Sequence, residues 1–376
     1  MERKKIMHSA AAAGATAFAV KEARAEKRLP KDPKNISVGW VGTGPFSFYG
    51  HYINVINGVR RDYSPMNMRI THIWGDDYSK NYKGSPEFVK KMVDSWNSNR
   101  QSPEGIARRD GIPNVCKDFR EMVDDVDAAM IMDFDRAYEL SEPFLRQGKP
   151  VFLCSPVAVN VPECERILDL AKANEAAVFS GSFTMGMPQN QIRVARARRN
   201  NIAAFFASTS LGFYTSYAND GLEPVYWIVG PGVRKVQLIG WDGSKGYDPH
   251  GIPTSRMHLE YEPREDNPPI QGTLALGGYK RVMEWYKVYY KDNRVLEGTT
   301  DGGNRDLNFR DFMLMIQETF ATNVSPETPE DILNKLKVVI AGYKSANEGN
   351  RPVMIDEVGD YRMPTIRIEN WNEIPE

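Results

Sequence analysis

A short apolar segment that leads directly into a glycine turn constrains the fold of this chain more than any other feature. Residues 36–41 (Ile-Ser-Val-Gly-Trp-Val) have the composition of a buried strand, and Gly42 and Gly44 follow at once. The first glycine permits a tight turn, and the second lets the backbone approach an anion closely. A helix over residues 46–59 would then direct its N-terminal N–H groups at that anion. The pattern predicts a pyrophosphate cradle, and its candidate cofactor-binding residues are Gly42, Gly44, Pro45 and Phe46.

The glycine turn is a weak signal by itself, because Ser47 occupies the position of the third glycine in the dinucleotide-binding fingerprint. An ordinary tight turn after a strand is the alternative. The elements that follow favour the nucleotide interpretation, because strand and helix signals alternate as far as residue 183 and so predict a doubly wound parallel sheet. The predicted strands cover residues 36–41, 68–74, 111–115, 126–132, 150–153 and 177–179, and the predicted helices cover 46–59, 78–109, 118–123, 138–147 and 162–174.

The pattern changes after residue 186, where alternating or aromatic segments separated by Gly or Asp-Asn turns predict an antiparallel sheet. The predicted strands there cover residues 204–213, 233–241, 271–276, 282–290 and 294–297, and the predicted helices cover 222–229 and 329–346. The sequence therefore predicts an α/β protein with a Rossmann domain over residues 36–183. A second α/β domain with an open, mainly antiparallel sheet follows over residues 184–376.

Acidic side chains follow two of the predicted parallel strands. Asp76 and Asp77 come after the second strand, where a carboxylate grips the ribose hydroxyls of a dinucleotide. Asp133 and Asp135 come after the fourth strand, at the sheet edge where such folds bind ligands. The alternative for both pairs is solvation at a turn or a strand exit.

The composition excludes several classes of function. A formal net charge of -1 over 376 residues offers no global basic field for nucleic acid. The basic cluster at residues 193–199 reads as a solvated helix face. The three cysteines have no metal-ligand spacing, and the five histidines are scattered, so neither a zinc site nor a disulfide framework is expected.

The first 25 residues have the features of an export signal. Basic residues at positions 3–5 precede a short alanine-rich stretch over residues 9–20, and Ala23-Arg24-Ala25 offers a cleavage site. The apolar stretch is too short to span a membrane. We expect an exported, periplasmic protein with a linker over residues 26–35, by a route that resembles twin-arginine export. A cytoplasmic protein with an amphipathic N-terminus is the alternative.

The order of segments resembles the Gfo/Idh/MocA family of NAD(P)-dependent sugar and inositol oxidoreductases. The matching segments are the glycine turn at 42–44, Gly111-Ile112-Pro113, Asp118-Phe119, residues 126–129, Gly148-Lys149-Pro150-Val151, Pro156-Val157-Ala158, Gly230-Pro231-Gly232 with Val236, and residues 345–349. The resemblance implies a Rossmann domain that binds NAD or NADP and a substrate held between the second sheet and the nicotinamide. Asp76 or Asp77 favours NAD by disfavouring a 2′-phosphate, although Lys80 and Lys83 are nearby.

Three departures from the family pattern concern the site itself. The family's Glu-Lys-Pro triplet, whose lysine assists catalysis, is Cys154-Ser155-Pro156 here, and Glu223 takes the position of a second-domain histidine. Residues 132–136 replace a Thr-Pro motif after the fourth strand. Serine cannot supply an ammonium, whereas Glu223 could act as a base if burial raised its pKa; a helix-capping role is the alternative. The candidate catalytic residues are therefore Glu223, Asp135 and Tyr217, and the further candidate cofactor-binding residues are Asp133, Ser155 and Pro156.

Three functions remain open at the level of sequence. The first is hydride transfer between a nicotinamide and a sugar or cyclitol. The second is redox-assisted cleavage of a glycoside with tightly bound NAD. The third is a binding or partner subunit without turnover. The aromatic segment 285–290 predicts a homo-oligomer that pairs through the second sheet, and a strand packed on its own helices is the alternative.

Overall fold

A computed structural model describes most of the chain after the N-terminal region. It covers residues 35–42, 49–57, 66–75, 102–186, 199–209, 214–240, 255–263, 269–276, 285–299 and 305–363, together with Pro30 and Asp32. The predicted export signal at residues 1–25 lies outside the described residues.

The first sheet is entirely parallel and has six strands in the order β3-β2-β1-β4-β5-β6. The strands are β1 (Ile36–Val41), β2 (Met68–Trp74), β3 (Asn114–Val115), β4 (Ala128–Ile131), β5 (Val151–Cys154) and β6 (Val178–Gly181). All four residues of β4 are buried, because this strand lies in the middle of the sheet with both faces covered. The predicted doubly wound parallel sheet is confirmed.

Helices connect these strands and begin at recognisable caps. The helices in this half are α1 (Tyr49–Ile56), α2 (Pro103–Asp110), α3 (Ala137–Arg146) and α4 (Val161–Ala173). Helix α4 begins where the Asn160 side chain accepts a hydrogen bond from the Glu163 N–H, and Pro162 occupies its first turn at no cost in backbone hydrogen bonds. Residues 118–123, predicted as a short helix, form a single 3₁₀ turn.

The second sheet has seven strands in the order β12-β11-β7-β10-β9-β8-β13. The strands are β7 (Ile202–Thr209), β8 (Val233–Ile239), β9 (Ser255–Tyr261), β10 (Gln271–Leu276), β11 (Trp285–Tyr290), β12 (Val295–Thr299) and β13 (Val353–Met354). The sheet is mainly antiparallel, as predicted, but β7 and β10 pair in parallel at its centre. The sequence analysis missed β9, because half of its residues are polar and point to the half-exposed face of the sheet.

Three helices belong to this second half: α5 (Tyr214–Val229), α6 (Arg305–Thr322) and α7 (Pro329–Asn347). Helix α5 begins at Tyr214, well before the predicted start at residue 222. Gly221, which disfavours a helix in the sequence, lies inside it. Helix α7 begins with a reciprocal capping box between Thr328 and Asp331.

Helix α6 was not predicted, and it packs on the first sheet rather than on the second. The Phe312 ring meets Phe152 of β5 edge-on at 5.6 Å between centroids and Phe179 of β6 at 5.9 Å. The Phe309 and Phe312 rings also contact Tyr52 of α1. These buried aromatic contacts bind a late segment of the chain to the parallel sheet. Among the described residues, no helix is both long enough and apolar enough to cross a membrane.

Candidate functional site

The candidate site is the crevice where β1 and β4 end, side by side, at the centre of the parallel sheet. From β1 the chain adds β2 and β3 on one side, and from β4 it adds β5 and β6 on the other. The strand order therefore reverses between β1 and β4, and ligands of open α/β sheets bind outside the carboxyl ends of the strands at this reversal. Gly42 follows β1 directly, and Asp133 follows β4 after one residue.

Gly42 occupies a backbone conformation and a space that a side chain would not fit. Its φ angle is 102°, which residues with a Cβ rarely adopt. A Cβ atom at this position would lie 3.2 Å from both the Cβ and the backbone nitrogen of Asp133. The Gly42 N–H donates to the Trp74 carbonyl at 2.8 Å, and the Gly42 carbonyl accepts from the Trp40 indole N–H at 2.9 Å. The first glycine of the turn is thus held at the crevice by its neighbours.

Asp133 and Asp135 lie together at the exit of β4. The Asp133 Oδ1 accepts a hydrogen bond from the Asp135 N–H at 3.1 Å and so caps the 3₁₀ turn Phe134–Arg136. Both aspartates are half-buried, which suits groups at the edge of a crevice. Since Asp133 packs against Gly42, the structure brings two of the predicted cofactor-binding residues together.

The end of β2 contributes an aromatic wall beside a guanidinium group. Trp74 is 9% exposed, and the Arg136 guanidinium lies 5.6 Å from its ring centroid. The Arg136 Nε donates to Glu139 Oε2 at 2.8 Å, so the charge of this arginine is balanced within the first turn of α3. Sequence analysis did not single out Arg136. Its contact with Trp74 forms only when the sheet brings the ends of β2 and β4 close together.

The triplet at the end of β5 has the position predicted for it but lacks a charged group. Ser155 is 7% exposed, and its peptide bond with Pro156 is cis. A hydroxyl can donate one hydrogen bond and accept two, but it cannot neutralise a developing negative charge.

A buried cluster of charged side chains holds Glu223, which lies within α5 and not at its cap. The Lys335 Nζ of α7 donates to Glu223 Oε1 at 2.9 Å and to Glu223 Oε2 at 2.8 Å. It also contacts Glu327 Oε1 at 2.6 Å and donates to the Ser180 carbonyl of β6 at 3.2 Å. The exposed fractions of the Lys335, Glu223 and Glu327 side chains are 5%, 1% and 4%.

Burial and the neighbouring opposite charges shift the pKa values of this cluster in opposite directions. Burial raises the pKa of Glu223, and the Lys335 ammonium opposes that rise. Burial raises the pKa of Glu327 to about 8, and the Glu223 charge adds to the increase. Burial alone would lower the pKa of Lys335, but the two carboxylates outweigh it and raise the pKa. The ammonium is therefore charged throughout the physiological range.

The predicted site residues fall into three groups. The first group lies at the β1/β4 crevice and at the neighbouring end of β5: Gly42, Asp133, Asp135, Ser155 and Pro156. The second is Glu223, which contacts a lysine that lies against β6, two strands from β4. Gly44, Pro45, Phe46, Asp76 and Asp77 lie outside the described residues, as does the Tyr217 side chain, although its backbone belongs to α5. The catalytic assignments stay predictions.

Lys335 and Glu327 were missed, although one signal could have identified the lysine. Lys335 interrupts the apolar stripe of α7, between Ile332 and Val339, where a charge is expected to be paired if it is buried. Its partners come from elsewhere in the chain, so only the folded structure identifies them.

The fold and crevice are those of a dinucleotide-binding α/β protein, and comparison with known proteins adds a match to one family over the first domain. Residues 36–182 match the family model Gfo/Idh/MocA, described as an oxidoreductase family with an NAD-binding Rossmann fold. This part of the chain is similar to the NAD-binding domain of that oxidoreductase family, and the resemblance seen in the sequence is confirmed over these residues. No protein with a curated description matches the sequence.

Solved structures with the same fold cover most of the chain. Scyllo-inositol dehydrogenase from Lactobacillus casei, with bound NAD(H) and scyllo-inositol, aligns at a TM-score of 0.60 and 16% identity, over 86% of this chain and 100% of that one. Myo-inositol 2-dehydrogenase from Lactobacillus plantarum aligns at 0.61 and 13% identity, over 85% and 99%. GenD2 from gentamicin A biosynthesis, in complex with NAD, aligns at 0.63 and 12% identity, over 88% and 98%. At these identities the likeness establishes the fold.

The described part of the crevice fits a dinucleotide. Gly42 has the positive φ that a tight turn before a pyrophosphate requires. Its backbone lies so close to Asp133 that a Cβ atom would fill the space between them. The neighbouring ends of β2 and β4 supply an aromatic wall at Trp74 and carboxylates at Asp133 and Asp135.

Replacing Gly42 with alanine tests the cradle. Gly42→Ala should weaken NAD(H) binding by about tenfold or more, because the turn must shift to relieve both the φ strain and the contact with Asp133. Isothermal titration of the purified variant with NAD and NADH measures the effect. Gly111→Ala is the matched control, because Gly111 also has a positive φ of 67° but no heavy atom within 4 Å of an added Cβ. Equal affinities for both variants and the parent would exclude Gly42 from the cradle.

Proposed function

We propose that the protein is a nicotinamide-dependent oxidoreductase that transfers a hydride between its cofactor and a CH–OH group of a sugar or cyclitol. The observation that carries the proposal is the contact of Gly42 with Asp133 at the β1/β4 reversal, because it forms the first half of a dinucleotide cradle. The substrate class is supported by the structural neighbours, two of which are named as inositol dehydrogenases.

In this reaction the residues of this chain would bind the cofactor and substrate and accept a proton. A bound nicotinamide would supply the acceptor for the hydride that leaves the carbinol carbon. Oxidation also releases the hydroxyl proton, which a carboxylate near the carbinol must accept. Asp135 suits this role, because it is half-buried at the mouth of the crevice. Ser155 can orient a hydroxyl by a hydrogen bond but leaves the base without a neighbouring ammonium.

For the cofactor we propose NAD rather than NADP. Asp76 and Asp77 follow β2, where a carboxylate binds the ribose hydroxyls and repels a 2′-phosphate. Arg136 lies beside the end of β2 and could otherwise attract that phosphate, but its guanidinium is already bound by Glu139. Both observations favour the unphosphorylated ribose.

A second candidate function is supported by the surroundings of Glu223. Both of its carboxylate oxygens are held by Lys335, and the side chain is 1% exposed. A buried carboxylate whose two oxygens are both bonded to a lysine is better suited to a structural role than to accepting a proton from a substrate. With Ser155 in place of the family lysine, this arrangement favours a subunit that binds a carbohydrate and cofactor without turnover.

Cofactor binding and turnover, measured on the same protein, separate these functions. The parent should bind NAD and form NADH with a cyclitol or sugar, and Asp135→Asn should lower kcat by about 10²–10⁴-fold by removing the base. Glu223→Gln is compared alongside, and Asp125→Asn, at the opposite end of the sheet with 67% of its side chain exposed, is the control. Absorbance of NADH measures the rate.

Each outcome of this experiment identifies one function. NAD binding without turnover on a broad panel would favour the binding subunit. Release of an aglycone from glycosides with no added cofactor would favour redox-assisted cleavage. Failure to bind either cofactor would reject all nicotinamide-dependent chemistry.

We also propose that the protein forms a homo-oligomer through the open face of the second sheet. This face is defined by the outward residues of neighbouring strands, where Phe206 of β7 pairs in register with Lys287 of β11. Tyr289 and Val295, which pair in register on the same face, are 41% and 51% exposed and so form part of a contiguous apolar patch. Burial of such a face against a second copy would remove it from water.

Charge placed on this face should dissociate the oligomer. Phe206→Asp is expected to shift the mass in solution to that of a monomer, because an unpaired carboxylate in a desolvated interface is costly. Leu314→Asp is the control, since Leu314 is 38% exposed on α6, outside the sheet. Analytical ultracentrifugation measures both. An unchanged mass for Phe206→Asp, or a monomeric parent, would contradict the interface.

Finally, we propose that the protein is exported to the periplasm. The basic residues at positions 3–5, the apolar stretch at 9–20 and the Ala23-Arg24-Ala25 site support this. Fractionation of expressing cells should recover a mature chain that begins near Glu26, and replacement of Arg3, Lys4 and Lys5 with glutamine should retain the precursor inside. An uncleaved parent in the cytoplasmic fraction would contradict export.

A further inference from the structure

Helix α6 carries exposed apolar residues on the side that faces away from the first sheet. Its buried side includes Phe309 and Phe312, which pack on the parallel sheet and on α1. Leu314 is 38% exposed, and Val324, which follows the helix, is 44% exposed. Successive residues advance by about 100° around a helix, so Leu314 points away from the core. Neighbouring exposed apolar residues of this kind mark a surface that another segment can cover.

These residues line a groove on the outer side of α6, with a volume of about 370 Å³. Its apolar lining consists of Leu314, Met315, Val324 and Pro326, and its acidic lining consists of Asp311 and Glu318. The Arg310 guanidinium contacts Asp311 at 3.3 Å, whereas Glu318 is exposed at the rim. The groove is many times larger than a water molecule. It therefore fits a peptide that carries apolar and basic side chains next to each other.

The helix that lines the groove also contacts the edge of the first sheet from which β1 begins. The Gln317 side chain of α6 accepts a hydrogen bond from the Asn67 N–H at 2.6 Å. The Asn67 carbonyl in turn accepts a hydrogen bond from the Ile36 N–H at 2.8 Å. Gln317 precedes Glu318 and lies three residues after Leu314, so these three side chains are neighbours on the helix surface. The chain therefore enters β1 beside the groove.

The residues before β1 have the composition that the groove requires. The N-terminal segment, residues 26–31, is Glu-Lys-Arg-Leu-Pro-Lys, in which basic residues flank the apolar pair Leu29-Pro30. The Asn35 N–H donates to the Asp32 carbonyl at 2.9 Å, so a turn reverses the chain just before β1. Pro30 is half-buried, whereas Asp32 is exposed. The chain upstream of the turn thus lies against the protein surface at Pro30.

We propose that the N-terminal segment binds in the groove of α6 of its own chain. The apolar pair would cover Leu314 and Val324, and Lys27 and Arg28 would face Glu318. The bound segment would hold the start of β1 against α6, the helix that packs on β5 and β6.

The covalent connection favours this segment over a free peptide. The nine residues from Glu26 to Lys34 span up to about 30 Å when extended, and the 18 residues of α6 form a helix about 27 Å long. The segment can therefore reach the groove from β1. A short tether also gives it an effective concentration on the order of millimolar, so that a small interface is enough for binding.

Limited proteolysis of the intact chain tests this binding. Trypsin cleaves after Lys27, Arg28 and Lys31 when the N-terminal segment is released, and mass spectrometry of the products measures the rate. We expect slow cleavage in the parent and an increase of about tenfold in Leu314→Asp, because the apolar pair would desolvate the new carboxylate. Glu318→Lys should also increase the rate, because it repels the basic residues of the segment.

The matched control is Val115→Asp, which places the same charge at a 39% exposed apolar position on β3, at the opposite edge of the first sheet from β6. Its cleavage rate should equal that of the parent. Immediate cleavage of the parent, or equal rates in the parent and both groove variants, would overturn the proposal. If Leu314→Asp does not fold, Glu318→Lys decides, since Glu318 is exposed. Protection that increases with protein concentration would place the segment on a second copy and contradict binding within one chain.

Discussion

The buried Lys335 ammonium is the contact on which the joining of the two halves depends. It connects the carbonyl of Ser180 on β6, the carboxylate of Glu223 on α5 and the carboxylate of Glu327 before α7. Breaking such a buried pair costs about 3–5 kcal/mol, because the remaining charge is left without a partner. The cluster is specific as well as stabilising, because a shift of any one element would leave a buried charge without its partner.

Aromatic packing adds a second connection of a different kind. Helix α6 follows the second sheet in the chain, yet Phe312 packs between the rings of Phe152 and Phe179 on the first sheet. Burial of apolar surface is strongly stabilising but does not depend on the orientation of the contacting groups, whereas a buried ion cluster requires a defined geometry. Together they hold the parallel sheet against the helices of the second half.

The sequence predicted much of the first sheet, because its central strands β4 and β5 are mainly apolar runs and turn residues separate the strands from the helices. Gly42, Asp133 and Asp135 could be named for the same reason, since the carboxyl ends of parallel strands share one edge of a sheet. The elements that the sequence analysis missed or shortened are those in which the local sequence signals are misleading. Gly221 interrupts the helix signal and hid the first turns of α5. The alternation of polar and apolar residues in β9 was not recognised because the mean hydropathy of the segment is low. Helix α6 buries Phe309, Phe312, Met313, Ile316 and Phe320 at the spacing of one helical face, but Leu314 is apolar and 38% exposed, which makes the apolar stripe less distinct in the sequence.

The sequence by itself determined the fold class, most elements of the first sheet and the resemblance to one family, because these depend on periodicity and on short motifs that are local in the chain. Only the tertiary structure decided the partners of individual charges. Glu223 looked like a free candidate base from its neighbours in sequence, whereas its carboxylate is bound by a lysine that lies 112 residues further along the chain. Electrostatic interactions act through space at a few ångströms, so the state of a buried carboxylate depends on contacts that no local pattern encodes.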